Sequence, residues 1–284
     1  MSGQNSRTLL KFYYQNTRWA LLRLLGRGRI HRSEAYVSDA YERAYRDEPY
    51  GDTSADLSRD RKVFRDGRLE YASAIEYKSF LLELFSNELM ASGARSMLEL
   101  GSGRGVFTLA LAALHPELEI IRGIELTPSG VRTAEHFLTE PPLELLAKLT
   151  KISPAVIQSR LSGRDIRFIT GSIRQLPFAD REFDFVFSNS VIEQIADDYL
   201  DVFREAARVT RTTACFSEPF REAQRNFFQR LHLANIDYFR ASYHEVERAG
   251  FAITRFTVPA FQKFEFSTGF LVAAPTTPKE PKAI

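Results

Sequence analysis

The stretch Met97–Gly105, which reads Met-Leu-Glu-Leu-Gly-Ser-Gly-Arg-Gly, constrains the fold of this chain more than any other feature. An apolar run that contains one acid ends abruptly at three alternating glycines. Good helix formers follow from Val106 to Leu114, so the pattern predicts a strand, a glycine turn and a helix. Glycines permit positive φ and let a ligand approach the backbone, while the helix directs its free N–H groups into the same space. We therefore expect a ligand site at the end of this strand.

The spacing of these glycines distinguishes between classes of ligand. A dinucleotide fingerprint reads G-x-G-x-x-G, whereas this turn reads G-x-G-x-G and has Val106 in the sixth position. The acid inside the strand, Glu99, would repel a phosphate but suits a cationic ligand. A nicotinamide-dependent oxidoreductase is therefore an alternative. However, the chain lacks the glycine pattern of that class, and no Tyr/Lys pair is placed for hydride transfer.

Composition and charge narrow the functional classes further. Hydrophobic residues make up 44% of the chain and charged residues 26%, and the net charge of +2 gives no general attraction to nucleic acid. The single cysteine, Cys215, excludes an intrachain disulfide and a cysteine-cluster metal site, so we expect no metal. We find no apolar run long enough to span a membrane and no secretory signal, which favours a cytoplasmic location.

The first 33 residues contain seven basic residues and no acid, which leaves the rest of the chain with a negative net charge. Apolar residues recur at helical spacing between residues 6 and 25, and Gly26 follows, which predicts an amphipathic helix. It could be a cap that docks on the main domain, a helix on an anionic membrane surface, or an organelle transit segment. We expect the cap, with Trp19 buried against the core.

The remaining sequence alternates predicted helices and strands. Residues 34–68 read as a helix and a long connection with a turn at Pro49 and Gly51, and a helix is predicted from Tyr71 to Phe85. Five strands with intervening helices follow, with extra helices between residues 139 and 164, and strands 251–258 and 261–273 are predicted to form a final hairpin. Ser242-x-x-Glu245 predicts a capping box. The chain thus divides into a helical extension (1–70), an α/β domain (71–274) and a loose tail (275–284).

Several segments together resemble one family. Leu98–Gly105 resembles motif I of the class I S-adenosylmethionine-dependent methyltransferases, Glu125 ends the following strand on an acid, and Gly171–Phe178 is similar to the family's loop over the adenine. The closest likeness is to the small-molecule enzymes of ubiquinone biosynthesis and natural-product type. The resemblance implies a Rossmann-like, doubly wound seven-stranded sheet with a reversed last strand, with S-adenosylmethionine as cofactor. It also implies methyl transfer to a small-molecule acceptor, with O-, N- and C-methylation left open.

The resemblance also assigns roles to residues near the glycine turn. It implies that the turn packs against the methionine part of the cofactor, that Glu99 holds the amino group, and that Glu125 accepts the ribose hydroxyls. Ser172 stands where the family usually has an aspartate that binds the adenine amino group. The cofactor-binding residues implied are Glu99, Gly101, Ser102, Gly103, Gly105, Glu125, Leu126, Gly171, Ser172, Ile173 and Asn189.

The sulfonium already activates the methyl group, so the protein mainly needs to position the acceptor. A hydroxyl acceptor would benefit from a general base, and Glu193 and His232 are the candidates. Each has a structural alternative: Glu193 as a solvated helix residue, and His232 as a member of an aromatic cluster. Because Ser172 and Gln194 depart from the family pattern, a non-catalytic S-adenosylmethionine-binding module also remains open. No nucleic-acid partner is expected, and the oligomeric state is left open.

Overall fold

The computed structural model describes residues 3–27, 30–48 and 57–276. Two helices lead the chain, α1 (Gly3–Leu24) and α2 (Glu34–Asp47), followed by two strands, β1 (Asp60–Arg65) and β2 (Arg68–Ser73). The remaining elements are, in order, α3 (Ala74–Ser92), β3 (Ser96–Leu100), α4 (Val106–Leu114), β4 (Ile120–Glu125), α5 (Pro128–Thr139), α6 (Leu143–Thr150), α7 (Pro154–Leu161), β5 (Asp165–Thr170), β6 (Phe183–Asn189), α8 (Tyr199–Val209), β7 (Thr210–Glu218), α9 (Phe227–Asn235), α10 (Glu245–Arg248), β8 (Phe251–Thr257), β9 (Phe261–Lys263) and β10 (Gly269–Pro275).

A seven-stranded sheet in the order β5-β4-β3-β6-β7-β10-β8 forms the centre of the molecule. The first five strands in this order pair in parallel, and β10 runs antiparallel to both β7 and β8. Leu100 lies opposite both Ile124 and Ser188, and Glu125 lies opposite Thr170, so these strands end at one edge. The prediction of a doubly wound sheet with a reversed last strand is confirmed.

Helices cover both faces of this sheet, which explains the near-continuous apolar runs of its strands. All five residues of β3 are buried. Met97 packs into a core with α3, α4 and the helices α6 and α7, whereas Leu98 and Leu100 pack into a second core with α8. The extra helices between residues 139 and 164 therefore complete one wall of the main core.

The structure corrects the sequence analysis between residues 57 and 73. The chain forms the antiparallel pair β1–β2 there, and β9 joins it in a separate three-stranded sheet. The helix predicted from Tyr71 begins instead at Ala74, where a capping box between Ser73 and Glu76 fixes its start. The turn predicted at Pro49 and Gly51 lies outside the described residues.

The predicted final hairpin is also corrected. Strand β8 does pair with β10, but the segment predicted as one strand from Phe261 to Ala273 is divided. Its first part, β9, pairs with β1, and its second part, β10, inserts between β7 and β8. The capping box predicted at Ser242 and Glu245 is absent, because the Ser242 hydroxyl bonds the Glu222 carboxylate instead.

Helix α1 packs against α9 through one face. Phe12 is buried against Phe264, with ring centroids 5.1 Å apart, and Asn235 donates a hydrogen bond of 2.9 Å to the carbonyl of Asn16. The expectation for Trp19 was wrong, because this side chain remains 47% exposed. None of the described helices is long and apolar enough to cross a membrane.

Candidate cofactor and acceptor site

A cavity of about 530 Å³ opens at the carboxyl edge of the parallel strands. The glycine turn after β3 forms its floor, and the ends of β4, β5 and β6 form its sides. Residues of helix α2 also line it, and we call the part that is lined by β1, β9 and the start of α3 the far end of the cavity. The crevice beyond the carboxyl ends of parallel strands is the usual ligand site of such sheets.

The glycine turn requires glycine for two reasons. Gly101, Gly103 and Gly105 have φ of 70°, 53° and 76°, which other residues rarely adopt. A Cβ on Gly101 would lie 2.3 Å from Cγ1 of Val191, and one on Gly105 would lie 2.5 Å from Cζ of Phe168. Gly105 is not among the described residues that line the cavity, so its role there is packing.

Glu99 is buried beneath the glycine turn and lines the cavity. The hydroxyl of Thr108, on α4, donates a hydrogen bond to its Oε2. Burial raises the pKa of Glu99 to about 8, because the carboxylate loses its hydration. A positively charged ligand group placed here would stabilise the ionised form.

Glu125 is held in one orientation at the end of β4. Its Oε2 accepts a hydrogen bond of 3.0 Å from the backbone N–H of Gly103, and its Oε1 accepts bonds of 3.0 and 2.7 Å from the backbone and hydroxyl of Thr127. Burial raises the pKa of this carboxyl above its ordinary value. Carboxylates have more acceptor sites than these bonds occupy, so Glu125 can still accept bonds from a ligand.

The buried polar atoms at the cavity that have no hydrogen-bond partner among the described residues include Oγ of Ser102 and Oδ1 of Asn189. Leaving a buried polar atom unpaired is unfavourable, so such atoms indicate a missing ligand or water. Together with the two buried carboxylates, they offer acceptors for an amino group and for sugar hydroxyls. The donors and acceptors of this edge therefore fit S-adenosylmethionine.

Two acidic residues of helix α2, Glu34 and Glu42, hold the helix over this edge through hydrogen bonds. Glu34 accepts a hydrogen bond of 2.8 Å from Oγ of Ser172 and lies 3.2 Å from Nε of Arg174. Glu42 accepts bonds of 3.0 and 2.7 Å from the backbone and hydroxyl of Ser129, which lower the pKa of Glu42. The sequence analysis did not connect these acids with the site.

A second polar region lies at the far end of the cavity. Gln194 lines the wall there and accepts a 2.6 Å hydrogen bond from Arg32. Lys263, on β9, also lines the cavity, and its ammonium lies 3.7 Å from Oε2 of Glu193. Glu193 is buried directly behind this wall, so the predicted candidate base is near the cavity but is not among the described residues that line it.

The structure places the other candidate base, His232, away from the cavity. His232 lies on α9 beneath α1, with Nδ1 3.1 Å from Oδ1 of Asn16 and its ring 5.5 Å from that of Phe12. Burial lowers its pKa to about 4. This position agrees with the structural alternative, an aromatic-cluster residue.

The remaining predicted residues converge on the cavity. It is lined by Glu99, Gly101, Ser102, Gly103, Glu125, Leu126, Gly171, Ser172, Ile173 and Asn189. Glu34, Tyr41 and Lys263, which the sequence analysis did not name as site residues, also line the cavity and come from α2 and β9. No local pattern marked them, because their place at the site depends on contacts between distant segments.

Comparisons with known proteins agree with this geometry. Residues 98–217 match a family model described as a methyltransferase domain. No curated protein sequence matches the chain significantly.

Three solved structures share the fold at low sequence identity. The cyclase SpnF is 15% identical, with a TM-score of 0.62 over 88% of this chain and 98% of that one. Magnesium protoporphyrin IX methyltransferase (ChlM) from Synechocystis PCC 6803 is 15% identical, with a TM-score of 0.57 over 86% and 99% of the two chains. Geranyl diphosphate C-methyltransferase from Streptomyces coelicolor A3(2) is 12% identical, with a TM-score of 0.53 over 84% and 97%.

The family model, the strand order and the glycine edge all lead to one assignment. The model covers the segment from β3 to β7, which contains the glycine turn, Glu125 and the Gly171 loop. Residues 98–217 match the methyltransferase domain, and the fold and the site agree with an S-adenosylmethionine-dependent methyltransferase whose cofactor is S-adenosylmethionine.

Proposed function

We propose that this protein transfers a methyl group from S-adenosylmethionine to a small-molecule acceptor bound in the same cavity. The observation that carries this proposal is the continuity of the cavity, which runs from Glu125 at the glycine edge to Lys263 at the far end. A ligand at the glycine edge therefore shares an enclosed space with a second ligand. Helix α2 and the β1–β2 hairpin enclose that space, which favours a small acceptor over a macromolecule.

The proposed cofactor contacts follow from the chemistry of the edge. A carboxylate at the end of the second strand can accept both ribose hydroxyls, which is the role we propose for Glu125. Glu99 faces the amino group, and Ser102 and Asn189 supply further acceptors. The exposed backbone of Gly101 and Gly103 permits close approach of the methionine part.

We propose that Glu34 supplies the carboxylate that position 172 lacks. The nucleobase, attached to the ribose at Glu125, would extend toward the end of the adjacent strand β5, where Gly171, Ser172 and Ile173 line the cavity. There the hydroxyl of Ser172 donates a hydrogen bond to Glu34, so a carboxylate from α2 lies beside the serine. An ionised acceptor binds an amino group more strongly than a hydroxyl does.

The names of two of the three solved structures support a small acceptor. One is named for magnesium protoporphyrin IX and another for geranyl diphosphate, and both are small molecules. The two names differ in the acceptor, so they support the size class of the ligand and leave its identity to experiment.

The exposed face of α1 supports a further part of the proposal, contact with an anionic membrane surface. Large apolar side chains recur along that face and directly after the helix, with exposed fractions of 57–83%, at Leu10, Tyr14, Leu21, Leu24 and Leu25. The basic residues Arg7, Lys11 and Arg18 are also exposed. Apolar and basic side chains on one helix face suit the interface of an anionic bilayer.

Calorimetry with S-adenosylmethionine and NADH in parallel tests the cofactor part of the proposal. We expect binding of S-adenosylmethionine and none of NADH. A metabolite screen with cofactor labelled in the methyl group then tests the transfer, and labelled product of low molecular mass is the expected result. Binding without any labelled product across the screen would favour the non-catalytic module.

A further inference from the structure

Lys263 occupies an unusual position for a lysine. It lies on β9, the short strand of the second sheet, and reaches into the far end of the cavity with 31% of its side chain exposed. Its ammonium donates a hydrogen bond of 3.3 Å to Oγ of Ser190 and lies 4.8 Å from the ring centroid of Phe266. An ammonium has three donors, so these contacts leave capacity for a ligand.

Two neighbouring residues, Ser190 and Glu193, have features that are typical of functional sites. Ser190 follows β6 and has φ of 57°, a left-handed conformation that is unfavourable for a residue other than glycine. Glu193 is buried, and its Oε2 has no hydrogen-bond partner among the described residues, with the Lys263 ammonium 3.7 Å away. Its other oxygen, Oε1, accepts a 3.2 Å bond from Gln194.

The charges around Lys263 keep its ammonium protonated. Burial by itself would lower the pKa of Lys263, but the acidic groups that face it raise the pKa above its ordinary value. These groups come from several elements: Glu193 after β6, Tyr77 on α3, Tyr238 after α9 and Glu218 at the end of β7. Arg32, which precedes α2, is the other cation near Glu193.

We propose that Lys263 binds and activates the acceptor oxygen, and that the acceptor therefore presents an acidic hydroxyl, a phenol or an enol. This inference rests on the proposed function and specifies its acceptor. As Lys263 gives one of its own protons to the Glu193 carboxylate, it takes the proton of the acceptor hydroxyl, so the nitrogen stays an ammonium and stabilises the acceptor as an oxyanion. Glu193 acts through Lys263 and is a positioning residue.

The step balances without any further reagent. When bound, S-adenosylmethionine supplies an electrophilic methyl group: a lone pair of the acceptor oxygen forms the new O–C bond, and the C–S electron pair returns to sulfur. The proton held at Glu193 leaves to solvent after the products dissociate. Neither an oxidant nor a metal ion is needed.

The ionisation of a bound phenol tests this site without relying on turnover. The full-length protein is saturated with S-adenosylhomocysteine, and 4-nitrophenol is added across a pH range while its visible absorbance reports the ionised form. We expect the bound probe to ionise about 1–3 pH units below the free probe, which is a roughly ten- to thousandfold larger ionisation constant. Lys263→Met should abolish this shift and Lys263→Arg should retain most of it, whereas Glu193→Gln should enlarge it, because it removes a negative charge that opposes the oxyanion.

A matched control removes another positive charge from the same cavity wall. Lys62 lines the cavity but bonds the hydroxyl of Thr8 at 3.0 Å, so Lys62→Met should keep the shift. The inference is wrong if the wild-type protein binds 4-nitrophenol only in its neutral form, fails to bind it at all, or keeps the shift in a folded Lys263→Met variant. Failure to bind S-adenosylhomocysteine would instead contradict the proposed function, so the two failures are distinguishable.

Discussion

The two sides of the cavity differ in how the chain builds them. At the glycine edge, each contributing residue lies at the end of a parallel strand, and the strand order alone brings Gly101, Glu125, Gly171 and Asn189 together. On the covering side, contacts join segments far apart in sequence. Glu34 bonds Ser172, and Arg32 bonds Gln194, across 138 and 162 positions respectively.

This difference separates general from particular features of the site. In our proposal the glycine edge provides the acceptors that bind S-adenosylmethionine. The covering side provides charged groups, Lys263 and Glu193 among them, which we propose select the methyl acceptor. The following experiments test this division, in order of decreasing expected effect.

The largest effect is expected at the glycine edge. Glu125→Ala removes the proposed ribose acceptor and the partner of the Gly103 N–H, so affinity for S-adenosylmethionine should fall by about 1.5–3 kcal/mol, roughly ten- to 150-fold. Calorimetry measures this loss. Glu119→Ala, an exposed acid just before the same strand, is the control and should bind normally. Unchanged affinity in a folded Glu125→Ala variant would remove Glu125 from the site.

A smaller effect is expected where the covering side meets the nucleobase. Glu34→Gln should weaken S-adenosylhomocysteine binding by about 0.5–1.5 kcal/mol, roughly two- to tenfold. S-inosylhomocysteine lacks the amino group of the nucleobase, so Glu34→Gln should change its binding much less. Ser172→Asp in the Glu34→Gln background should restore the carboxylate and the affinity.

The control for Glu34 is another acid of α2. Glu42→Gln loosens the bond to Ser129, so it should weaken the adenosine and inosine compounds equally if it acts only through the position of α2. If Glu34→Gln also weakened the binding of both compounds equally, Glu34 would act only by holding α2 in place.

The exposed face of α1 should show a moderate, salt-dependent effect. If it rests on an anionic bilayer, the protein should sediment with vesicles of phosphatidylcholine and phosphatidylglycerol at low salt and not with phosphatidylcholine alone. Lys11→Gln should weaken this binding by about 1 kcal/mol, roughly fivefold, and Arg204→Gln on α8 should not. Self-association of the protein without vesicle binding would indicate a second copy of the chain as the occupant of this face.

The smallest expected effect is the release of less than one proton per molecule of cofactor bound. Because burial raises the pKa of Glu99 to about 8, this carboxyl is largely protonated at pH 7 without ligand. A cofactor amino group beside it favours the ionised form, so binding should release protons near pH 7.5. Calorimetry in buffers of different ionisation enthalpy should detect this release, and Glu99→Gln should lose it. Release that persists in Glu99→Gln would have another source.

The pKa of Glu99 also implies a stability effect with a definite sign. Its folded-state pKa lies above the unfolded value, so its contribution to stability is fully present below the unfolded pKa and is lost as the pH rises through about 8. Glu99→Gln should therefore flatten the pH dependence of the free energy of unfolding between pH 5 and pH 9, as measured by urea denaturation without ligand.

The same contrast explains how much the sequence could predict. The glycine turn, α4 and the strands from β3 to β7 follow from local periodicity and turn residues, and their order places the predicted cofactor residues. The β1–β2 hairpin was missed because its short strands carry many charges and because one of them, β1, pairs with β9, nearly 200 positions later. Lys263 could not be predicted, because its role depends on that pairing.

His232 illustrates the limit on predicting chemistry from residue type. Both His232 and Glu193 were candidate bases, with an aromatic-cluster residue and a solvated helix residue as the respective alternatives. In the structure α1 covers His232, and burial lowers its pKa to about 4. Glu193 is buried beside Lys263, and the sequence alone does not state either burial.

A crystal structure of the full-length protein with S-adenosylhomocysteine tests the central claim most directly. We predict that the ribose hydroxyls lie within hydrogen-bond distance of the Glu125 carboxylate, and that the nucleobase lies beneath Glu34 and Ser172. The sulfur should then face the far end of the cavity, toward Lys263. A ligand bound away from Glu125, or a nucleobase directed toward Lys263, would contradict the account.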